Sequence, residues 1–173
     1  METLGEGKFL RLVKENNWEW AERPCRDAVA VIAITGDDKV IFISQYRVPV
    51  KSHVIEIPAG LIGDVRSGET PQDAIRAELI EEAGYEATEV YDLGYTPASP
   101  GLTSERIQLY IADGVKKVSK GGGDESEDIT VYEVDLREID SWLRDRVAEG
   151  YLVDMKVYAG LFLAYQAGYL GAL

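Results

Sequence analysis

Residues 78–84 read ELIEEAG, and they end a helix that the sequence predicts over residues 71–84. Thr70 precedes this helix as a good N-cap, proline is tolerated at its first position, and Gly84 suits a C-cap. Residues three and four apart on a helix are neighbours, so the glutamates at 78, 81 and 82 share one face, opposite an apolar stripe. Carboxylate oxygens are the ligands that a hard cation such as Mg²⁺ prefers. The spacing alone fits either a solvated acidic face or a metal-binding face.

The segments around this helix predict a sheet. Ala28–Thr35 reads AVAVIAIT, a β-branched run typical of a strand that is buried on both faces. A turn at 36–38 connects it to a hairpin partner at 39–46. The other predicted elements are short strands within 8–22, strands at 53–57, 89–96, 106–112 and 129–134, and helices near 136–148 and 154–167. Many strands, few helices and hairpin-like connections predict an α+β fold and not a doubly wound parallel sheet.

The length and charge of the chain limit its function. Its 173 residues suit one domain, or one domain with a short appendage, and the 46% of hydrophobic residues can build a core. Lysine and arginine number 18 against 31 aspartates and glutamates, which gives a net charge of −13. Such a chain repels polyphosphate backbones, so we expect no nucleic-acid partner. A small anionic substrate remains compatible if cations bridge the like charges.

The few cysteine and histidine residues and the short apolar stretches argue against several further classes of protein. Cys25 is the only cysteine and His53 the only histidine, so the sequence offers neither an internal disulfide nor a zinc site built from several such residues. Residues 1–10 hold no apolar core of signal-peptide length, and the apolar run 157–165 is far shorter than the roughly 20 residues that span a bilayer. We therefore expect a soluble cytoplasmic protein with no membrane partner. His53 is expected to pack or cap, and Glu56 to be a structural ion-pair partner.

The residues on both sides of the glutamates resemble the signature of the Nudix hydrolases. That signature is Gly, five residues, Glu, seven residues, then Arg-Glu-apolar-x-Glu-Glu-x-Gly-apolar, and the spacing from Glu69 to Tyr85 matches it. One departure is Ala77, which stands where the family has an arginine. Arg76 comes one residue earlier, about 100° away around the helix, so it cannot make the same ion pair.

A second departure precedes Glu69. Eight residues, and not five, separate this glutamate from Gly60 of the Pro-Ala-Gly corner, whereas Gly63 satisfies the family spacing by count. We interpret Gly60 as the structural equivalent and residues 63–67 as the place of a three-residue insertion.

Further segments resemble the ADP-ribose pyrophosphatase branch of this family, over roughly residues 17–170. They follow one another in the family's order: 45–47 (QYR), 58–60 (PAG), 99–105 (SPGLTSE), 125–129 (ESEDI) and 153–156 (VDMK). The resemblance implies a Nudix fold, an α/β/α sandwich with mixed β-sheets, and a homodimer. It also implies an N-terminal strand segment at 1–26, which subunits of that branch exchange, and a Nudix domain at 27–173.

The same resemblance implies the catalytic and metal-binding residues. The predicted metal ligands are Glu78, Glu82, Glu127 and the carbonyl oxygen of Ala59, which would bind Mg²⁺, with Mn²⁺ as a substitute. Glu125 is the predicted base, on a mobile acidic loop with residues 121–123 as its hinge. The sequence also allows the reverse assignment, with Glu127 as the base and Glu125 as the metal ligand. The alternative to both assignments is an ordinary disordered acidic loop without a catalytic role. Glu81 is a second catalytic candidate, as a partial metal ligand or an orienting group, and a plain surface role fits it equally well.

The resemblance also implies a set of substrate contacts. They are Arg47, Arg23, Glu105, Leu61, Trp18 and Trp20. Because arginine grips phosphate oxygens bidentately, we expect Arg47 and, with less support, Arg23 on the substrate diphosphate. Trp18 and Trp20 would stack on the base, or else pack side by side on one face of a sheet.

The predicted function is the Mg²⁺-dependent hydrolysis of the diphosphate bond of nucleoside diphosphate sugars. ADP-ribose would give AMP and ribose 5-phosphate. One alternative is a Nudix hydrolase of nucleoside triphosphates or dinucleoside polyphosphates, against which the segment 99–105 argues by resemblance. Another is a non-catalytic ligand-binding or regulatory protein that kept the fold. The preferred base and sugar do not follow from the sequence, because stacking accepts any base.

Overall fold

The computed structural model describes residues 1–23, 27–62, 70–124 and 127–171. Its first part is an antiparallel sheet of β1 (Glu2–Glu6), β2 (Arg11–Glu15) and β3 (Trp18–Glu22). Strands β2 and β3 lie where the sequence predicts short strands. Strand β1 was not predicted, because its five residues, ETLGE, are all exposed and show no apolar alternation.

The described residues also form a mixed sheet of nine strands. The strands are β4 (Ala28–Thr35), β5 (Lys39–Arg47), β6 (Ser52–Glu56), β7 (Ala59–Leu61), β8 (Tyr85–Glu86), β9 (Tyr91–Pro97), β10 (Arg106–Lys117), β11 (Thr130–Asp135) and β12 (Leu152–Val153). Their order is β12-β6-β5-β4-β10-β8, with β11 paired to β5, β7 to β4 and β9 to β10. The pairs β10/β4 and β12/β6 are parallel and the others are antiparallel, as a mixed sheet requires.

Helices cover both faces of this sheet. Helix α1 (Pro71–Glu78) packs Ala74 and Ile75 on one face, against alternate residues of β4 and β5 that include Val31 and Ile41. Helices α2 (Ile139–Ala148) and α3 (Met155–Gln166) pack on the other face, in a core with the intervening residues of the same strands. Strands β4 and β5 therefore send side chains into both cores. The predicted α/β/α sandwich is confirmed.

Loop contacts join the two sheets. The Ala21 N–H at the end of β3 donates to the Leu102 carbonyl at 2.8 Å, and the Ser104 N–H donates back to the Ala21 carbonyl at 3.4 Å. The segment 99–105 is thus held against the N-terminal sheet. His53 packs between the rings of Tyr46 and Tyr151, at centroid distances of 5.5 and 5.8 Å, as the sequence predicts. No helix within the described ranges is long and apolar enough to cross a membrane.

Candidate active site

The predicted helix over 71–84 changes its geometry before it ends. Thr70 caps α1 by accepting the Asp73 N–H, as predicted, but regular α-helix stops at Glu78. Residues 79–83 form a wider π-helical turn, which Gly84 closes in a left-handed conformation with φ +79°. The glutamates therefore do not share one solvent face opposite the apolar stripe. Local spacing rules fail here because they assume uniform α-helix, whereas π turns recur at functional sites.

The three glutamates of the helix end differ in their surroundings. Glu82 is 3% exposed, and its Oε2 accepts the Ala59 N–H at 2.8 Å. Glu78 is half-buried against Gly60, where an ideal Cβ would stand only 1.9 Å from the Glu78 Oε1. Glu81 is exposed. The corner at 58–60 therefore meets the helix end at Glu78 and Glu82, and a glycine at position 60 leaves room for the first carboxylate.

Glu82 lies in a cluster of like charges. Burial, helped by the neighbouring charges of Glu78, Glu127 and Glu56 and opposed by the hydrogen bond from the Ala59 N–H, raises the pKa of the Glu82 carboxyl to about 8. A buried carboxylate surrounded by other carboxylates favours either a proton or a cation. The acidic loop thus contributes Glu127 to the same site as the helix end.

Arg47 supplies positive charge to this cluster. Its Nε and Nη2 donate to the two carboxylate oxygens of Glu56 at 3.0 and 2.5 Å, and Glu56 is only 4% exposed. This pair confirms the structural role predicted for Glu56. Burial opposes the Arg47 charge, but the Glu56 hydrogen bonds and the charges of Glu56, Glu82 and Glu127 outweigh it and raise the pKa of Arg47. Arg47 therefore stands beside the carboxylates as a permanent cation.

The acidic loop is tied to the helix end by its backbone. The Gly122 N–H donates to the Glu82 carbonyl at 2.8 Å, and the Gly123 N–H donates to the Glu81 carbonyl at 3.1 Å. The predicted hinge glycines are thus hydrogen-bonded to the element that carries the buried carboxylate. The predicted base, Glu125, lies outside the described residues, as does Glu69.

A cavity of about 670 Å³ is lined by Arg47 and Glu56, and we call it the Arg47 cavity. Three cations line it, and each is paired with an acid: Arg47 with Glu56, Arg23 with Glu105 at 3.4 Å, and Lys156 with Asp154 at 2.5 Å. Apolar residues of the segments 49–54 and 152–159, residues 96–98 and Ile107 complete the wall. The structure therefore brings together three of the predicted substrate contacts. The sequence analysis gave Lys156 no role, although this lysine lies in the segment 153–156, two residues after Asp154, the N-cap of α3.

The two tryptophans line a different cavity, of about 280 Å³. Trp18 is 66% exposed and Trp20 is half-buried. The other residues that line this cavity are Glu15 of β2, Asn16 of the β2–β3 turn, Pro100, Gly101, Thr103 and Ser104. Within one chain, neither tryptophan lines the Arg47 cavity. Leu61, in β7 opposite Ala28, lines neither cavity.

The donor set fits a divalent metal ion. Within residues 1–23, 27–62, 70–124 and 127–171, no group of three acidic, histidine or cysteine side chains is already arranged to coordinate a metal ion. The carboxylates of Glu78, Glu82 and Glu127 are nevertheless close enough to interact electrostatically. They are oxygen donors of the kind that Mg²⁺ and Mn²⁺ take, and a bound cation would relieve their repulsion.

Comparison with known proteins identifies the family. The NUDIX domain model matches residues 24–151, which is most of the chain, so the protein belongs to the Nudix family. Members of this family generally need a divalent cation. A solved structure described as an ADP compounds hydrolase matches with a TM-score of 0.73 over 95% of this chain and 89% of that one. The two are 23% identical, a level at which the likeness shows the fold.

Three relatives are similar in sequence. The methanol dehydrogenase activator of Bacillus methanolicus is 39% identical over 120 residues, which cover 69% of this chain and 63% of that protein. The ADP-ribose pyrophosphatase of Bacillus subtilis is 35% identical over 112 residues, or 64% and 59% of the two chains. The GDP-mannose pyrophosphatase of Cronobacter sakazakii is 35% identical over 142 residues, or 75% and 69%. The match thus spans less than two thirds of the first two relatives.

Proposed function

We propose that this protein is a divalent-cation-dependent hydrolase of nucleoside diphosphate sugars. The observation that carries the proposal is the buried Glu82 carboxylate, which interacts with other carboxylates and with Arg47, a residue that lines the cavity of about 670 Å³. The ADP-ribose and GDP-mannose pyrophosphatases among its relatives support this substrate class. ADP-ribose would give AMP and ribose 5-phosphate.

The metal-binding residues in this proposal are Glu78, Glu82, Glu127 and the carbonyl oxygen of Ala59. A bound Mg²⁺ would neutralise the diphosphate and polarise a phosphorus toward attack by water. Mn²⁺ is the expected substitute. The protein contributes the fixed position of these oxygens, because Glu82 is buried and bonded to the Ala59 N–H while Glu78 packs against Gly60.

Arg47 is the proposed diphosphate contact. Glu56 occupies Nε and Nη2, and Nη1 carries two further N–H donors that suit a phosphate oxygen. The Glu56 pair fixes the guanidinium plane, which reduces the entropy lost when a phosphate binds. Arg23 and Glu105, which pair with each other and line the same cavity, would contact other parts of the substrate.

Glu125 is the proposed base. It would take a proton from the attacking water, whose oxygen would bond to one phosphorus while the bond from that phosphorus to the bridging oxygen breaks, and the products would be two phosphate monoesters. Glu81, which is exposed at the helix end, would assist as a partial metal ligand or as a group that orients the other ligands. Glu125 and Glu81 are thus the proposed catalytic residues, and each needs its own test.

The arrangement of the tryptophans supports a homodimer. Trp18 and Trp20 lie outside the Arg47 cavity of their own chain, so a base bound in that cavity would meet them only if they came from a second subunit. We propose that the segment 1–26 is exchanged between two copies while residues 27–173 form the Nudix domain. The net charge of −13 supports a small-molecule substrate over a nucleic acid.

A panel of substrates tests the proposed function. Nucleoside diphosphate sugars, nucleoside triphosphates and dinucleoside polyphosphates would be incubated with the protein at equal concentration, with and without Mg²⁺, and the phosphorylated products measured. We expect Mg²⁺-dependent release of nucleoside monophosphate and sugar phosphate. If the protein preferred a nucleoside triphosphate or a dinucleoside polyphosphate, the proposed substrate class would be wrong and that compound class would take its place.

A second candidate function is the activation of another enzyme, because one relative carries the name of a methanol dehydrogenase activator. The product measurement separates the two candidates. Absence of turnover on the whole panel at saturating Mg²⁺ and Mn²⁺ would favour a regulatory protein.

A further inference from the structure

Two chain segments cross at the active site with no side chain between them. An ideal Cβ at Gly121 would stand 2.4 Å from the Ala83 carbonyl carbon and 2.6 Å from the Glu82 carbonyl oxygen. An ideal Cβ at Gly84 would stand 2.5 Å from the Ser119 carbonyl oxygen. These neighbours are backbone atoms, which cannot rotate away as a flexible side chain can. We call this crossing of Gly84 and Gly121 the glycine crossing.

Backbone hydrogen bonds surround the glycine crossing on both sides. Before it, the Val118 and Ser119 N–H groups donate to the Gly84 carbonyl at 2.8 and 3.1 Å. After it, the Gly122 and Gly123 N–H groups donate to the carbonyls of Glu82 and Glu81. The carbonyls of Glu81 and Glu82 in the π turn are therefore satisfied by the acidic loop and not by a further helical turn.

The crossing also places the Glu127 side chain. An ideal Cβ at Gly123 would meet the Glu127 Oε2 at 2.3 Å, so this carboxylate lies against the end of the glycine run. Glu82, on the other segment, feels the Glu127 charge. Two carboxylates from distant parts of the chain are thus brought to one site by a contact between backbones.

We propose that Gly121 is a positioning residue that sets the separation between the Glu82 and Glu127 carboxylates through the glycine crossing. The inference rests on the proposed metal-dependent hydrolysis. A side chain at position 121 would push the acidic loop away from the π turn, and errors of about 1 Å in such a constellation are costly to catalysis. The glycine run is then an anchor that holds the acidic loop to the π turn.

Gly114 provides a matched control. Its φ is +69°, close to the +65° of Gly121, but an ideal Cβ at Gly114 meets nothing within 4 Å. Alanine at either position suffers the same unfavourable left-handed backbone. Only alanine at position 121 also collides with the backbone of the π turn. Comparing the two variants separates the cost of conformation from the loss of position.

The experiment compares Gly121→Ala and Gly114→Ala with the wild type. Melting temperature, kcat and KM for the best nucleotide sugar would be measured, together with Mg²⁺ and Mn²⁺ binding by calorimetry without substrate. We expect both variants to lose a few degrees of melting temperature, and Gly121→Ala to lose more, because the displaced loop also weakens its hydrogen bonds to the carbonyls of Glu82 and Glu81. Only Gly121→Ala should lose about tenfold or more in kcat and bind the metals about tenfold more weakly, with KM within about threefold; tenfold in kcat corresponds to about 1.4 kcal/mol in the barrier.

Wild-type kcat and wild-type metal affinity in Gly121→Ala would overturn the proposal. Losses of kcat and metal affinity that are equal in the two variants would overturn it as well. Amide exchange measured by NMR gives an independent test in the wild type, in case Gly121→Ala does not fold. The Gly122 and Gly123 amides should be protected with and without Mg²⁺, and exchange at the rate of an open loop would overturn the anchor. If the wild type hydrolysed no nucleotide sugar, the proposed function would fail, whereas the calorimetry and amide exchange would still decide the role of the crossing.

Discussion

At the scale of single residues, Glu82 is the side chain on which the proposed site depends. Its carboxylate is buried among like charges and accepts one backbone N–H. We expect Glu82→Gln to remove most turnover while the fold is kept, because glutamine can still accept the Ala59 N–H but cannot bind a metal as an anion. Turnover and melting temperature would be measured at saturating Mg²⁺, with Glu86→Gln on the exposed surface as control. Wild-type turnover in Glu82→Gln would show that the metal assignment is wrong.

The pH dependence of metal binding follows from the same residue. Burial raises the pKa of Glu82 from 4.5 to about 8, so between these values the folded, metal-free protein holds a proton that the unfolded chain loses. The stability that Glu82 contributes therefore falls as the pH rises through this window. A cation must displace that proton, so Mg²⁺ affinity should rise about tenfold per pH unit up to about pH 8 and then level off.

Calorimetric titrations between pH 6 and pH 9 would check this slope. Glu82→Gln serves as the control, because without the titrating carboxyl the slope should largely disappear. Affinity that is unchanged across the window in the wild type would contradict the assignment of this proton to Glu82.

The roles of Glu125 and Glu127 call for a paired test. We expect Glu125→Gln to lower the rate by roughly 10²–10⁴, the usual effect of losing a general base, with metal affinity nearly unchanged. Glu127→Gln should instead weaken metal binding, because Glu127 interacts with the buried Glu82. Rate constants and calorimetric metal affinities of both variants would be compared. If Glu127→Gln gave the rate loss with unchanged metal dependence, the two roles would be exchanged.

Residue types were predictable from the sequence, whereas their environments were not. The motif identified Glu78 and Glu82 as candidates, and the Pro-Ala-Gly corner pointed to the neighbouring backbone. That Glu82 is buried while Glu81 is exposed follows from the π turn and from the Ala59 N–H, which are products of tertiary packing. Lys156 was missed because a lone lysine after a helix cap has no signal of its own.

At the scale of elements, periodicity predicted where the long strands and the helices lie, although β10 runs to Lys117 and not to 112, and regular α-helix in α1 stops at Glu78. Strand β4 was bounded correctly because a β-branched run between turn residues allows few alternatives. Short elements were missed: β8 has two residues, and its only apolar residue, Tyr85, looks in sequence like the end of the helix motif. Such strands exist because a neighbouring strand pairs with them, which local sequence does not encode.

Helix α1 shows how a departure from the family pattern is tolerated. The Arg76 Nη2 donates to the Thr88 carbonyl at 3.3 Å, so the shifted arginine ties the helix to the segment before β9. We expect Ala77→Arg to leave turnover within about threefold, because one partly exposed ion pair contributes only about 0–1 kcal/mol. Steady-state kinetics would check this, with Ala77→Lys as a control for charge alone. A tenfold rise in turnover would show that the missing arginine is a real catalytic handicap.

At the scale of the whole molecule, the N-terminal sheet contrasts with the Nudix domain. The sandwich has a buried core on each face of its sheet, whereas Val13 is the only buried residue within β1–β3. Large apolar side chains of this part remain exposed, namely Leu4, Phe9, Leu10, Leu12 and Trp18. A small sheet with so little core of its own needs a surface to pack on. The sequence suggested exchange of this segment only through the family resemblance.

We therefore expect the protein to be a homodimer in which the N-terminal sheet packs on the second copy. Stable interfaces bury about 1,600 Å² in total, and an exposed apolar sheet face is suited to contribute to such an area. Leu12 alternates with the buried Val13 and is 45% exposed, so Leu12→Asp should shift the dimer toward monomer in sedimentation equilibrium at micromolar concentration. Val147→Asp, at a similarly exposed apolar position on α2, should leave the dimer intact. A monomeric wild type, or equal dissociation by both variants, would contradict packing through the N-terminal sheet, and the tryptophans would then act only within their own chain.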